Sequence, residues 1–460
     1  MTAVYPVIDP ATLDRIDDAA EMTLADLDRA VQSAIAAQLE WARDTDARRD
    51  ALRDLAELLA SNREELATLL SREQGKVLSL ARTEIDMSTA LFRHTAELPL
   101  ADEALPDRAG RSVRVLNRPY GVVAAITPWN YPLTLLNVKL APALLAGNAV
   151  LVKPARSTPL ATRRMLELFA DRLPAHVVQL ITGREAGHAL AAHPGVGKVA
   201  FTGSTEVGQT LLRTAADRMT RLTLELGGND AAIVLPDSDI PFTVEGISSS
   251  AFRNAGQTCM SIKRVYVPRA QYADYVDAFA AQASSIRVGR GLDESVDMGP
   301  LHNRQQLETV QRLSADAVSR GGRIVAGGGR GSDLPGWFHE PTVLADVPSD
   351  APLVVEEQFG SILPIVAYDE PEPLIDAINA QPYGLGGSVW SNDLERAEAL
   401  ATRMNVGLAW INQHNVVELD APFGGRGLSG IGRERGRWGL EAFLEPTTLN
   451  MRAQNAPNLS

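Results

Sequence analysis

Apolar residues recur at helical spacing through the first hundred residues. Leu27, Val31 and Ile35 form one stripe, which follows a capping-box pattern at Thr23 and Asp26. A second stripe is made of Leu52, Leu55, Leu58 and Leu59. A third is made of Leu66, Leu69 and Leu70, and Asn62 before it is a candidate helix cap. Residues three or four apart share one face of a helix, so these stripes predict helices that pack on a core.

After Pro119 the pattern changes, and short apolar runs alternate with helical segments. The runs occupy residues 121–126, 149–153, 177–182, 198–203 and 221–226, and four helical patterns separate them. Apolar runs joined by helices are typical of a parallel sheet with helices on both faces. We therefore predict an α/β protein whose ligand site lies beyond the carboxyl ends of these strands.

A second α/β segment is predicted from about residue 229 to residue 427. It contains an apolar helix that reaches Ala255, a strand at 264–268, and glycine-rich turns near 321–322 and 327–331. From Leu440 onward polar and apolar residues alternate weakly, which predicts an edge strand.

Composition narrows the range of functions. The 57 acidic and 44 basic residues give a formal charge of -13, and no basic cluster stands out, so a nucleic-acid partner is not expected. The most apolar window, 135–152, is interrupted by polar residues, and the N-terminus lacks the pattern of a signal peptide. We therefore expect no membrane partner and a cytoplasmic location. The single cysteine excludes an internal disulfide and a multi-cysteine metal site, and we expect no metal.

Four segments combine glycine or proline with reactive or polar side chains. They are residues 127–132, 201–208, 224–229 and 252–259, which read TPWNYP, FTGSTEVG, LELGGN and FRNAGQTC. The last one ends at Cys259, where small polar neighbours leave the sulfur accessible and surrounded by backbone N–H groups. That setting favours a nucleophilic thiolate, whereas a lone cysteine elsewhere is usually a buried apolar filler.

Two other features of these segments each allow two interpretations. Glu225 stands between Leu224 and Leu226 on an apolar strand, so its carboxylate is either ion-paired or desolvated with a raised pKa. The first interpretation is a salt bridge at the sheet rim, and the second is a general base. The loop from Gly203 to Gly208 opens a helix, and it is either a phosphate cradle or an ordinary strand-to-helix turn.

Seven motifs, in this order along the chain, resemble the aldehyde dehydrogenase superfamily, and in particular its general bacterial NAD(P)-dependent members. They are PWNYP at 128–132, KP at 153–154, FTGST at 201–205, ELGG at 225–228, GQTC at 256–259, EEQFG at 356–360 and PFGG at 422–425. The resemblance extends from about residue 20 to residue 450. It implies three parts: a Rossmann-like parallel-sheet cofactor domain (1–101 and 119–227), an α/β catalytic domain (228–427) and a small β oligomerisation arm (102–118 and 441–460). Subunit pairing through the arm implies a homodimer or a homotetramer.

The resemblance also implies roles for individual residues. Cys259 would attack the aldehyde carbonyl, Asn130 with the Cys259 N–H would bind the oxyanion, and Glu225 would activate water to hydrolyse the thioester. The residues implied in cofactor binding are Thr127, Trp129, Lys153, Arg156, Gly203, Ser204, Gly208, Leu226, Glu357 and Phe359. Those implied in lining the substrate tunnel are Arg253, His414 and Phe423. For Trp129 and Phe423 a packing role is an equal alternative, and His414 is either near the tunnel mouth or simply solvated.

The chain departs from the family pattern at several positions. Arg156 stands where many NAD-dependent relatives carry a glutamate, and a guanidinium can bind a 2′-phosphate, so we predict that NADP is used at least as well as NAD. The loop at 182–185 is one residue short. Ser361 replaces a proline, and Gly427 a lysine.

Alternative functions remain open on the sequence. A CoA-acylating semialdehyde dehydrogenase and a catalytically silent structural or binding relative are the two rivals to aldehyde oxidation. For the substrate, Arg253 matches an arginine that succinate semialdehyde dehydrogenases use, but the second arginine of that pair falls at Val138. An aliphatic or aromatic aldehyde without an anionic tail is therefore favoured.

Overall fold

The computed structural model describes residues 3–108 and 111–452. Its strands are β1 (Val4–Ile8), β2 (Arg15–Ala20), β3 (Glu103–Arg108), β4 (Arg111–Pro119), β5 (Val122–Ile126), β6 (Ala149–Lys153), β7 (Val178–Leu180), β8 (Lys198–Thr202), β9 (Arg221–Glu225), β10 (Asp230–Val234), β11 (Ile262–Pro268), β12 (Arg323–Ala326), β13 (Thr342–Ala345), β14 (Ile362–Tyr368), β15 (Tyr383–Gly384), β16 (Gly386–Trp390), β17 (Leu408–Ile411), β18 (Arg426–Gly427), β19 (Gly430–Ile431) and β20 (Leu444–Arg452).

Its helices are α1 (Leu24–Trp41), α2 (Thr45–Ser61), α3 (Arg63–Gln74), α4 (Leu78–Glu97), α5 (Pro132–Leu145), α6 (Leu160–Phe169), α7 (Arg184–Leu190), α8 (Thr205–Ala216), α9 (Ile240–Ala251), α10 (Tyr272–Ser285), α11 (Arg304–Ser319), α12 (Pro352–Val355), α13 (Pro371–Asn379), α14 (Leu394–Ala401) and α15 (Gly436–Glu441). Short 3₁₀ turns lie at Arg253–Gly256 and Arg269–Gln271. None of these helices is long and apolar enough to cross a membrane.

The N-terminal region contains the predicted helices, but a hairpin that the sequence analysis missed precedes them. The two strands β1 and β2 pair in antiparallel fashion, and only one face of the hairpin is buried, at Tyr5, Val7 and Ala19. The capping box between Thr23 and Asp26 is confirmed. The prediction for Asn62 was wrong: its side-chain amide donates to the Leu58 carbonyl and so caps the end of α2.

The predicted parallel sheet is confirmed, with one added strand. Its order is β19-β9-β8-β5-β6-β7, and all pairings except that of the short β19 are parallel. The chain runs outward from β5 through β6 to β7, then returns to the other side of β5 through β8 to β9. The strand order therefore reverses between β5 and β8, which is where doubly wound sheets bind ligands.

The second segment forms a seven-stranded sheet in the order β12-β13-β14-β11-β10-β16-β17, parallel except for β12. The helix predicted to reach Ala255 instead ends at Ala251. A 3₁₀ turn follows, in which Asn254 and Ala255 adopt φ values of 53° and 56°. This left-handed turn bends the chain sharply just before Cys259.

A third, three-stranded sheet has the order β20-β4-β3. The predicted C-terminal edge strand begins at Leu444, after the short helix α15, and it pairs along its whole length with β4. Residues 109–110 and 453–460 of the predicted arm lie outside the described residues.

Candidate active site

Two cavities meet at Cys259, at the edge of the six-stranded sheet where its order reverses. One has a volume of about 320 Å³ and is lined by residues that follow β5, β8 and β9, including Trp129, Ser204 and Leu226. The other has a volume of about 90 Å³ and is lined largely by α4, α5 and the segment around Phe423. Cys259 lies at this junction and is part of the lining of both cavities.

The backbone holds Cys259 between the 3₁₀ turn and β11. Gly256 has φ 73°, and a Cβ at this position would collide with the Gly360 carbonyl, so only glycine allows the chain to turn here. The ammonium of Lys263 donates to the carbonyl oxygens of Cys259 at 2.7 Å and of Thr258 at 2.9 Å. These bonds stabilise the loop that carries the sulfur.

The expectation that this setting favours a thiolate was wrong for the protein as it stands. Burial raises the pKa of the Cys259 thiol to about 12, and the neighbouring carboxylates of Glu357, Asp230 and Glu225 add to the shift. Lys263 acts in the opposite direction, but its effect is smaller than that of burial. The thiol is therefore protonated at neutral pH.

Asn130 lies beside Cys259, between β5 and α5. The Asn130 side-chain amide donates to the backbone carbonyl of Gln257 at 2.9 Å. The backbone carbonyl of Asn130 accepts from the Lys76 ammonium at 2.7 Å. Lys76 is buried in an ion pair with Glu84 (2.5 Å), whose second oxygen accepts from two backbone N–H groups at the start of α5. The sequence analysis missed this pair, which ties α4 to the Asn130 loop.

Glu225 ends β9, and both of its carboxylate oxygens are buried without a hydrogen-bond partner among residues 3–108 and 111–452. Burial raises its pKa well above the ordinary value, and the nearby Glu434 carboxylate raises it further. Of the two interpretations of Glu225, desolvation with a raised pKa is therefore confirmed.

A second buried ion pair, also missed, lies next to Glu225. The Lys139 ammonium donates to Glu434 at 2.7 Å and to the Thr202 hydroxyl at 2.6 Å. Lys139 lowers the pKa of Glu225 while Glu434 raises it. No local motif points to this pair, because its members are 295 positions apart.

The larger cavity brings together most of the residues implied in cofactor binding. Trp129 stacks on His302, with ring centroids 4.5 Å apart, and meets Phe359 edge-on. Ser204 caps the N-terminus of α8. The Glu357 carboxylate accepts from the Gly228 N–H at 3.0 Å and lies so close to Gly227 that a Cβ there would collide with it. Asn303, Gln305 and Gln306, which the sequence analysis missed, complete the lining.

Several of these residues lie outside that cavity. Gly208 packs against the Leu226 side chain, where any Cβ would collide, so it brings α8 close to β9. The Thr127 N–H donates to the carbonyl of Lys153, and its hydroxyl is buried without a partner among the described residues. Lys153 is the last residue of β6, and Arg156 follows the strand at the same sheet edge and pairs with Glu21.

The smaller cavity has an apolar lining that includes Leu135, Val138 and Phe423, and Arg253 lies at its outer end. Arg253 also lines a cavity of about 550 Å³ farther out. The solvated interpretation of His414 is wrong, because its side chain is fully buried. Its Nε2–H donates to the Met260 carbonyl at 2.9 Å, and the same nitrogen lies 3.4 Å from the Asp230 carboxylate. Its neighbour Asn415 and the hydrogen-bonded Met260 line the smaller cavity, so a place beside the substrate tunnel stays a prediction.

The arrangement fits a nicotinamide dinucleotide. The cavity lies where the strand order reverses, and its lining includes Gly227 and Glu357, which lie close together. The N-terminus of the twelve-residue helix α8 faces the same edge and can bind a phosphate through its N–H groups. In the described ranges no group of three or more His, Cys, Asp or Glu side chains could hold a metal ion.

Comparisons with known proteins agree with this geometry. Residues 2–449 match the aldehyde dehydrogenase family. The chain is 37% identical over 449 residues (96% of this chain, 91% of the relative) to a Sinorhizobium fredii protein named probable succinate-semialdehyde dehydrogenase (NADP(+)). It is 38% identical over 446 residues (95% and 93%) to geranial dehydrogenase of Castellaniella defragrans.

Among solved structures, the NAD+ complex of an aldehyde dehydrogenase from Bacillus cereus superposes with a TM-score of 0.96 at 33% identity. The match covers 98% of this chain and 94% of that one. The resemblance found in the sequence is confirmed over nearly its whole length. The chain therefore belongs to the aldehyde dehydrogenase family, whose members are enzymes that oxidise aldehydes.

Proposed function

We propose that this chain oxidises an aldehyde to its carboxylic acid with NAD or NADP, with Cys259 as the covalent nucleophile. The observation that carries the proposal is the position of the chain's one cysteine at the junction of the two cavities. The sulfur faces the smaller cavity, where we place the substrate, on one side and the larger cavity, where we place the cofactor, on the other.

Each step requires a group that lies at this junction. After the Cys259 thiol loses its proton to solvent, attack of the sulfur on the carbonyl carbon forms a C–S bond, and the electron pair of the C=O π bond moves to the oxygen as negative charge. The Asn130 amide and the Cys259 N–H are the donors we assign to that oxygen. A bound nicotinamide would supply the hydride acceptor, and loss of the hydride from the aldehyde carbon would leave an acyl thioester on Cys259.

We assign Glu225 as the base that activates water to hydrolyse the thioester. A carboxylate with a raised pKa holds a proton more strongly than usual, which suits a base that works near neutral pH. Its unpartnered oxygens are available to a water molecule. This favours release of a free acid over acyl transfer to CoA, and it disfavours a catalytically silent role.

Residues around the larger cavity are those we assign to the cofactor. Trp129, Glu357 and Phe359 lie at its nicotinamide end with Gly203, Ser204 and Leu226. Lys153, Arg156 and Thr127 lie toward the adenosine end, while Gly208 acts through helix packing. The positive charge of Arg156 supports use of NADP at least as well as NAD.

The substrate we propose is an aliphatic or aromatic aldehyde without an anionic tail. The inner cavity is small and has Leu135, Val138 and Phe423 in its lining, and Val138 stands where a second arginine would be needed to clamp a carboxylate. Arg253 at the outer end supports a semialdehyde as the second candidate. We assign His414 a supporting role, since it is fully buried and donates to the carbonyl of Met260, which lines the smaller cavity.

We also propose the domain boundaries, the subunit assembly and the cellular location of the enzyme. The cofactor domain comprises 1–101 and 119–227, the catalytic domain 228–427, and the arm 102–118 and 441–460. The largely exposed strand β20 on the arm supports pairing of subunits into a homodimer or homotetramer. We place the enzyme in the cytoplasm.

The proposal is tested by comparing the native protein with Cys259→Ala. Aldehyde-dependent formation of NADH or NADPH should be lost in the variant, while cofactor affinity, measured by quenching of tryptophan fluorescence, should stay unchanged. Turnover by the variant at more than a few per cent of the native rate would contradict the assignment. Acid rather than acyl-CoA should be the product when CoA is supplied.

A further inference from the structure

The N-terminal hairpin places two side chains against Arg156. Glu21, which directly follows β2, accepts a hydrogen bond from the Arg156 guanidinium at 2.5 Å. Tyr5 of β1 lies under the same guanidinium, which is 3.7 Å from the centre of the phenol ring. Glu21 therefore contacts one edge of the Arg156 guanidinium and Tyr5 contacts one of its faces, so the side chain does not extend freely into solvent.

Glu21 is itself held in place. Its other carboxylate oxygen accepts from the Arg184 N–H at 2.7 Å, in the loop that joins β7 to α7. The hydrogen bond from this N–H, together with Arg156, lowers the pKa of Glu21, so the carboxylate is charged at neutral pH. The hairpin thus adds a fixed negative charge beside the positive charge of Arg156.

This cluster lies at the edge of the sheet that binds the cofactor. Arg156 follows β6 by three residues, and β6 is two strands from β8, whose end carries Gly203 and Ser204. Neighbouring strands are about 4.8 Å apart, so the two strand ends are separated by about 10 Å. An adenosine diphosphate moiety with its phosphates at Ser204 spans that distance. The Arg156 side chain is 44% exposed and the Glu21 side chain 27%, so both are accessible to a ligand.

We propose that the Glu21 carboxylate, which follows the N-terminal hairpin, is a specificity-determining group at the adenosine end of the proposed cofactor site, where it limits the preference for NADP that Arg156 favours. The inference rests on the proposed function as an NAD(P)-dependent enzyme. Arg156 attracts a 2′-phosphate, whereas the Glu21 carboxylate repels it and takes up part of the guanidinium's hydrogen-bonding capacity. The balance of the two charges lets both cofactors bind.

The test is calorimetric binding of adenosine 2′,5′-bisphosphate and of 5′-AMP, which requires no turnover. Glu21→Gln keeps an oxygen that can accept from the Arg184 N–H but removes the charge. It should tighten binding of the bisphosphate relative to 5′-AMP about fivefold or more. Arg156→Leu should weaken the bisphosphate about tenfold and leave 5′-AMP nearly unchanged.

Asp17→Asn is the matched control. Asp17 lies on β2 and pairs with Arg163 at 2.5 Å, so the variant breaks a similar ion pair of the same hairpin outside this cluster. It should leave the ratio of the two affinities unchanged. An unchanged ratio in Glu21→Gln, or an equal loss for both ligands, would overturn the proposal and leave the cluster a structural role. Aldehyde oxidation by Glu21→Gln with saturating NAD separates that result from a failure of the proposed function.

Discussion

The Glu434 carboxylate lies 2.7 Å from the Lys139 ammonium, and both groups are buried beside the unpartnered carboxylate of Glu225. Three ionisable groups are thus buried close to one another. Because Glu434 raises the pKa of Glu225 and Lys139 lowers it, we expect the pair to set the pH range in which Glu225 serves as the proposed base.

The first prediction concerns that control. Glu225 works as a base only when deprotonated, so turnover should increase as pH rises through its pKa. Glu434→Gln removes a repelling charge and should move the acidic limb of the kcat profile to lower pH, whereas Lys139→Met should move it to higher pH. The exposed Glu441→Gln serves as the control and should leave the profile unchanged. A shift in the same direction for both variants would contradict the electrostatic account.

The second prediction separates the two chemical steps. Glu225→Gln should retain a burst of reduced cofactor in rapid mixing, because attack and hydride transfer do not need the base, while steady-state turnover falls about 10²- to 10⁴-fold. Glu445→Gln is a suitable control, since Glu445 is exposed and pairs with Arg221 at the opposite end of β9. Loss of the burst together with turnover would place Glu225 earlier in the reaction.

The third prediction follows from the raised pKa of Cys259, about 12. The thiolate fraction far below the pKa grows tenfold with each pH unit, so the rate of alkylation by iodoacetamide should rise about tenfold per unit between pH 7 and pH 10. Mass spectrometry should find one label per chain at complete inactivation when the reagent is limiting. A rate that levels off near pH 7 would show that the thiol is already ionised in the cofactor-free protein.

The fourth prediction concerns the substrate. Arg253→Leu should change kcat/KM for butyraldehyde and for succinate semialdehyde by the same factor, because one arginine at the outer end of an apolar cavity does not clamp a carboxylate. Loss of a charge-assisted pair would instead cost about 1.5–3 kcal/mol. A selective fall of one to two powers of ten for the semialdehyde would therefore favour the second candidate substrate.

The last prediction concerns stability. Lys76→Met removes one partner of the buried pair with Glu84 and should lower the free energy of unfolding by about 3–5 kcal/mol. Arg93→Ala breaks the exposed pair with Glu57 and should cost no more than about 1 kcal/mol. Urea unfolding followed by circular dichroism compares the two. Equal losses of unfolding free energy in the two variants would contradict the expectation that the buried Lys76 pair matters more for stability than the exposed Arg93 pair.

The sequence predicted most of the secondary structure, because apolar periodicity reports directly on which face of an element is buried. It did not predict the N-terminal hairpin, whose strands are short and carry acidic residues on the exposed face. It also placed the end of α9 four residues too late, because the left-handed turn at Asn254 and Ala255 depends on close packing of Gly256 against the Gly360 carbonyl.

By itself the sequence indicated most of the helices and parallel strands, the family and the candidate nucleophile Cys259, since these depend on local pattern and on a single cysteine. Only the tertiary structure decided the electrostatics of the site. Glu21 and Arg156 are 135 positions apart, and Lys139 and Glu434 are 295 apart, so each pair becomes neighbours only in the folded chain. The raised pKa of Cys259 has the same origin, because desolvation is a property of the folded surroundings and not of the residues adjacent in sequence.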